Sequence, residues 1–170
     1  MIGGGPPVDG VLTLADGHLE AIGGLLARHG LAMHCVATDA PIPGSYHGAP
    51  EAGVVGTDVW VRLDTPVHSV LHEACHAICM DGERRRVLDR DAGGDFDEEN
   101  AVCCLQIVLA DQLPGVGAAR LMDDMDRWGY TFRLGSAARW YAEEADVPRQ
   151  WLAQEGLLAA DGRPTWRLRT

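Results

Sequence analysis

The chain has 170 residues, 46% of them hydrophobic, and a formal net charge of −11. That size and apolar share fit one domain with its own core and exclude a disordered chain. The acidic balance disfavours nucleic acid and anionic membrane as partners, and no stretch reaches the ~18 apolar residues of a membrane span.

Residues 1–10, headed by Met1-Ile2-Gly3-Gly4-Gly5-Pro6-Pro7, read as a flexible lead-in to a single domain spanning 1–170. They lack the basic-then-apolar pattern of a signal peptide, so the expected location is cytoplasmic. Asp16 is placed to cap a helix running to about Arg28, with Leu19, Ile22, Leu25 and Leu26 on one face and Gly30 as its stop. Leu31–Thr38 reads as a strand, and residues 39–52, rich in Pro, Gly and Ala, as a loop. Gly53–Val55 and Val59–Leu63 form a hairpin around Gly56-Thr57-Asp58. Thr65-Pro66 opens a helix that ends near Met80-Asp81-Gly82. Residues 83–95 read as a loop, and a further helix starts at Asp95 or Asp97 and runs to about Gln112. Val116–Trp128, Ser136–Ala145 and Pro148–Gln154 complete the helices. Strands first and helices after give an α+β class, with a short antiparallel sheet followed by a mainly helical C-terminal half.

The helix after Pro66 carries His72-Glu73-Ala74-Cys75-His76, an H-E-x-x-H match. At ~100° per residue, His72 and His76 share one face a turn apart and can bind one tetrahedral metal. Glu73 flanks that face, within reach of a water at the metal without being a ligand. Val70, Leu71, Ala74, Cys75, Ala77 and Ile78 make the surroundings apolar, which suits a buried helix at a cleft floor. A third ligand must come from elsewhere. On the next helix, Glu98 shares a face with Ala101, Val102, Leu105, Val108 and Leu109, so it is expected to point inward. An inward carboxylate needs a partner, and a metal serves. Glu98 is therefore the favoured third ligand. Glu99, offset toward Cys103 and Gln106, is the alternative or a supporting group.

His72, Glu73, His76 and Glu98 together resemble the gluzincin branch of the zincin metallopeptidases, which pair an H-E-x-x-H helix with a Glu on a second helix. The E-x-x-A step from Glu98 to Ala101 is similar to that of the small bacterial metallopeptidases related to the ImmA and IrrE proteins. Val102 stands where the thermolysin-type pattern has Asp, so the group that orients a ligand His is unassigned. Cys79 and Gly82, where the metzincin branch has Gly and His, exclude that branch. The resemblance implies a small zincin-like fold, one zinc ion and hydrolysis of a peptide or protein amide bond, with Glu73 as general base. It also implies that Val59–Leu63 is the rim strand to which a peptide would pair.

Zinc peptidases need a donor to the developing oxyanion. Tyr46 and His47, in the loop ahead of that strand, are the candidates, with Tyr130 and Arg133 further on. His68 lies too far along the helix to join His76 on one metal and is read as a helix-start residue. The Arg84-Arg85-Arg86 run follows the motif helix and reads as a solvated face. Trp140, Trp151 and Trp166 read as packing and tail anchors. The cysteines at 35, 75, 79, 103 and 104 are odd in number and read as packing residues rather than a disulfide framework, with a thiolate ligand as the minor alternative. Two further readings stand beside the enzyme: a non-catalytic zinc-binding module that docks a partner, and a helical protein without metal.

Overall fold

The computed structural model describes residues 8–170. Most of the lead-in expected over 1–10 therefore lies outside the described residues. The α+β class holds. The strands are β1 (Ala32–Cys35), β2 (Gly53–Val55) and β3 (Asp58–Val61), and the helices are α1 (Leu19–Arg28), α2 (Val67–Cys79), α3 (Gly82–Val87), α4 (Phe96–Ala110), α5 (Gly117–Trp128), α6 (Ala137–Glu143) and α7 (Asp146–Gln154). β2 and β3 form the expected hairpin, with Val55 opposite Asp58 and a two-residue turn at Gly56-Thr57. β1 pairs parallel to the other side of β3, with Ala32 opposite Asp58. The three-stranded sheet has the order β1-β3-β2 and is mixed rather than antiparallel. β3 is thus the central strand, hydrogen-bonded on both sides. It cannot be a rim that accepts a peptide strand, because its N–H and C=O groups already have partners.

Several local signals resolve differently from the sequence pattern. Asp16 does not cap α1. It closes a capping box with Thr13 around a 3-10 turn at Leu14–Asp16, and α1 starts later, after His18. Thr65 accepts a hydrogen bond from the Arg62 N–H at 2.9 Å instead of capping α2, whose N-cap is Pro66. Within 83–95, Asp81 accepts from the N–H groups of Glu83 and Arg84 and so starts the short helix α3. Asp95 caps α4 by accepting from the Glu98 N–H, as one of the two expected starts.

α2 and α4 lie in the centre of the core. Every residue of α2 is buried except Glu73. α4 is buried from Ala101 to Ile107 and packs against α2, α5 and α7. A helix covered on all sides has no polar face, which becomes important for the site. The C-terminal carbonyls of α2 are satisfied by Arg85, which donates to Ala77 and Met80 and also to Arg169. Arg85 is buried and Arg84 pairs with Glu98, so only Arg86 of the Arg run is the exposed group expected. The tail returns to the same place, where the Arg169 N–H donates to the Ile78 carbonyl at 3.0 Å.

The loop 39–52 is held tightly on β2. A Cβ on Gly53 would meet the Pro43 carbonyl oxygen at 2.0 Å and the Ser45 nitrogen at 2.4 Å. The Ser45 hydroxyl adds a bond to the Glu51 carbonyl. Gly53→Ala is expected to destabilise the fold by about 1–3 kcal/mol, the scale of overpacking. Gly24→Ala, in α1 where an added Cβ meets nothing within 4 Å, is expected to be neutral or stabilising by about 0.5–1 kcal/mol. Urea unfolding of the two variants checks the contrast.

Candidate metal centre

The one-turn spacing of His72 and His76 does what the helix period dictates. Their Nε2 atoms converge to 3.1 Å. The third group is Glu99, not Glu98. Glu99 Oε1 lies 3.4 Å from His72 Nε2, and Glu99 Oε2 lies 3.4 Å from His76 Nε2. Tetrahedral ligands at 2.0–2.1 Å from a zinc ion stand roughly 3.3–3.4 Å apart. The triangle therefore has the size a metal needs. His72, His76 and Glu99 form the one His/Cys/Asp/Glu group able to chelate an ion among the described residues.

Glu98 is buried, as expected, but a different cation satisfies it. Arg84 donates through Nη1 to Glu98 Oε2 at 2.8 Å and through Nη2 to Oε1 at 3.0 Å, a bidentate pair. Arg169 Nη1 adds a contact at 3.5 Å. Because α4 is apolar on every side, the apolar pattern could not identify which face meets α2. The informative residue is Gln106, a polar side chain fully buried in the middle of α4 and two turns from Glu99.

Gln106 is also the orienting group that sequence reasoning left unassigned. Its amide Nε2 faces the main-chain carbonyl of His68 at 3.3 Å, and that oxygen can only accept. The amide oxygen therefore faces His72, and His72 Nδ1 donates to it at 2.7 Å. Burial lowers His72, but Cys103 and Glu99 outweigh it and raise it well above the ordinary imidazole range; when its Nε2 proton is lost, His72 keeps Nδ1–H on Gln106 and presents the Nε2 lone pair to the ligand triangle. Tyr130 sits behind this pair, with its hydroxyl 3.1 Å from His68 Nδ1 and 3.5 Å from Gln106 Nε2. Tyr130 is thus a buried support, not the cleft-facing oxyanion donor considered from sequence. His68 is buried one turn behind the ligands and takes no part in the triangle. His76 Nδ1 is buried without a protein partner.

The electrostatics follow from burial opposed by pairing. Burial raises the Glu99 carboxyl, but His72 and His76 outweigh it and hold it at about 2. Burial, with the neighbouring His72, lowers His76 to about 3. Glu73 is raised to about 7, first by burial and then by the Glu51 and Glu99 carboxylates, against an opposing effect of His72. Glu51, which the sequence did not single out, is a buried carboxylate that accepts from Trp128 Nε1 at 2.9 Å and leaves its other oxygen unpaired.

The site opens into a cavity of about 460 Å³ lined by His72, Glu73, His76 and Glu99, with Tyr46 and His47 on one wall and the 90–96 segment on the other. Tyr46 and His47 pack edge to face at 5.0 Å. Arg133 lies elsewhere, exposed and paired with Glu144. Cys75, Cys79, Cys103 and Cys104 are buried free thiols and Cys35 is exposed; none belongs to the ligand triangle. No protein family, curated protein or solved structure matches this chain.

The two adjacent carboxylates should fail differently on substitution. Glu99→Ala is expected to abolish tight zinc binding. Glu98→Ala is expected to keep zinc and lower stability by about 1–3 kcal/mol, because Arg84 loses its bidentate partner but keeps Asp81 and the Ala92 carbonyl. Zinc titration and urea unfolding on both variants separate the effects. Gln106→Leu is expected to weaken zinc affinity by about 10–100-fold, the usual loss when a ligand His loses its orienting partner, read by competition with a chelating dye.

Proposed function

We propose that the protein is a zinc-dependent hydrolase of peptide or protein amide bonds, with one zinc on His72, His76 and Glu99. The single observation that carries this reading is the ligand triangle on the floor of an open cleft, with the Glu73 carboxylate beside it. Bound zinc supplies a Lewis acid that lowers the pKa of water to about 7.

The remaining work belongs to the side chains. Glu73 accepts the proton of the attacking water and returns it to the leaving amine nitrogen. Burial raises the Glu73 carboxyl and a neighbouring cation would oppose it, the balance by which a carboxylate is tuned for general base and acid work. Gln106 holds the His72 imidazole through Nδ1, so that ligand need not reorganise during the reaction. The Tyr46 hydroxyl and the His47 ring, which line the same cavity, are the groups we propose as donors for the developing oxyanion.

The second reading is a metal-binding module without catalysis. It is favoured by one observation, the central position of β3, which removes the expected strand for aligning a peptide. The two readings separate at Glu73. Zinc analysis should give about one equivalent per chain, reduced by His72→Ala or His76→Ala. Glu73→Gln should retain zinc yet lose hydrolysis of a mixed peptide library by ~10²-fold or more. Cleavage undiminished in Glu73→Gln would place the chemistry elsewhere. Wild type that holds zinc and cleaves nothing supports the module.

A further inference from the structure

A second cavity of about 520 Å³ adjoins the metal cleft. The two share Phe96, the first residue of α4, which is exposed. α4 divides them. Glu99 faces the metal cleft, while Asp97 and Asn100 face the second cavity. An aromatic path also joins the two. Tyr130 lies 5.7 Å from His72 and stacks on Phe132 at 6.4 Å, and Phe132 meets Trp140 at 5.1 Å.

The walls of this cavity are the rings of Phe96, Phe132, Trp140 and Trp151. Its charged lining consists of Asp97, Glu143, Glu144 and Asp146, against Arg133 alone. Glu143, Glu144 and Asp146 are paired with Arg139, Arg133 and Arg149. Arg139 and Arg133 are solvent-facing, Arg149 is half-buried on Tyr141 with its partner Asp146 exposed, and such surface pairs are weak and readily exchanged. Asp97 has no ion-pair partner among the described residues.

Aromatic walls and carboxylates call for a specific occupant. A purely apolar side chain would desolvate the carboxylates without replacing their partners. An anionic one would be repelled. A long aliphatic stem with a cationic head fits both parts, the stem on the rings and the head at the carboxylates. From this we propose that the cavity is a side-chain pocket that selects peptides carrying Arg or Lys close to the bond presented at the metal. The selection of a cleavage site rests on the peptidase reading above. The cation pocket itself does not.

The test uses three blocked pentapeptides, identical except for a central Arg, norleucine or Glu. They are titrated into zinc-loaded Glu73→Gln protein, so binding is measured without turnover, and the indole N–H signals of Trp140 and Trp151 are followed by NMR. The Arg peptide is expected to shift both signals and to bind roughly tenfold tighter than the norleucine peptide, from cation–π and carboxylate contacts together. Asp97→Asn combined with Glu144→Gln should reduce that preference to about twofold or less, with zinc content and Tm unchanged. Norleucine binding as tightly as Arg overturns the proposal. So does Arg-peptide binding that moves neither indole, or the absence of any shift at millimolar Arg peptide. Cleavage by the wild type is scored separately. Turnover with no preference for Arg or Lys overturns the selection of the cleavage site and leaves the peptidase standing. Arg-selective shifts at both indoles without turnover uphold the pocket and count against the peptidase.

Discussion

The site depends on one contact, the hydrogen bond from His72 Nδ1 to Gln106 across the α2–α4 interface. A neutral amide in a dry core has to place each of its atoms against a complementary group, since an unpaired buried amide is costly. The His68 carbonyl fixes which end of Gln106 faces which way, and that determines the tautomer of a neutral His72. The same contact sets the relative phase of the two helices. With Gln106 against His72, the residue two turns back on α4 must face His76, and that residue is Glu99. Tyr130 closes the back of the arrangement and keeps water from the rear of the imidazole.

The neighbouring carboxylates divide into two tasks because they leave α4 on different sides. Glu98 points to Arg84 and Arg169 and ties the start of α4 to α3 and the tail. Glu99 points to the two imidazoles. Each of these two acids has its own cationic or cation-binding partner, which offsets the cost of desolvating its charge. The ion pairs around Glu98 and the Arg85 bonds to the end of α2 brace the ligand helices from outside, so the ligand triangle does not have to hold them together.

The H-E-x-x-H pair was legible because it depends only on the helix period, a local property. The same is true of most helix limits and of the β2–β3 hairpin. The third ligand was misread by one residue because hydrophobic periodicity locates a face only when the opposite face is polar, and α4 is covered all round. Gln106 was the available clue. A long polar side chain inside an apolar run marks where a partner waits, and it stands in phase with Glu99 rather than Glu98. The central position of β3 was not legible, since the parallel pairing of β1 joins segments far apart in the chain and no local residue encodes it. Asp16 and Thr65 were read as helix caps, yet each bonds its nearest turn, because short polar side chains serve turns as readily as helices.

The burial of α4 from Ala101 to Ile107 has a consequence for which parts of the fold open last. Ligands on surface loops can be shed by small local openings. Here the candidate donor atoms lie on two helices at the centre of the core; α4 cannot tilt without disturbing α5 and α7, nor α2 without disturbing α4 and α5. Backbone amides of α2 and α4 therefore belong to the slowest-exchanging set of the protein, those that open only when the whole fold opens. An ion held by His72, His76 and Glu99 would thus rest on the part of the molecule that opens last.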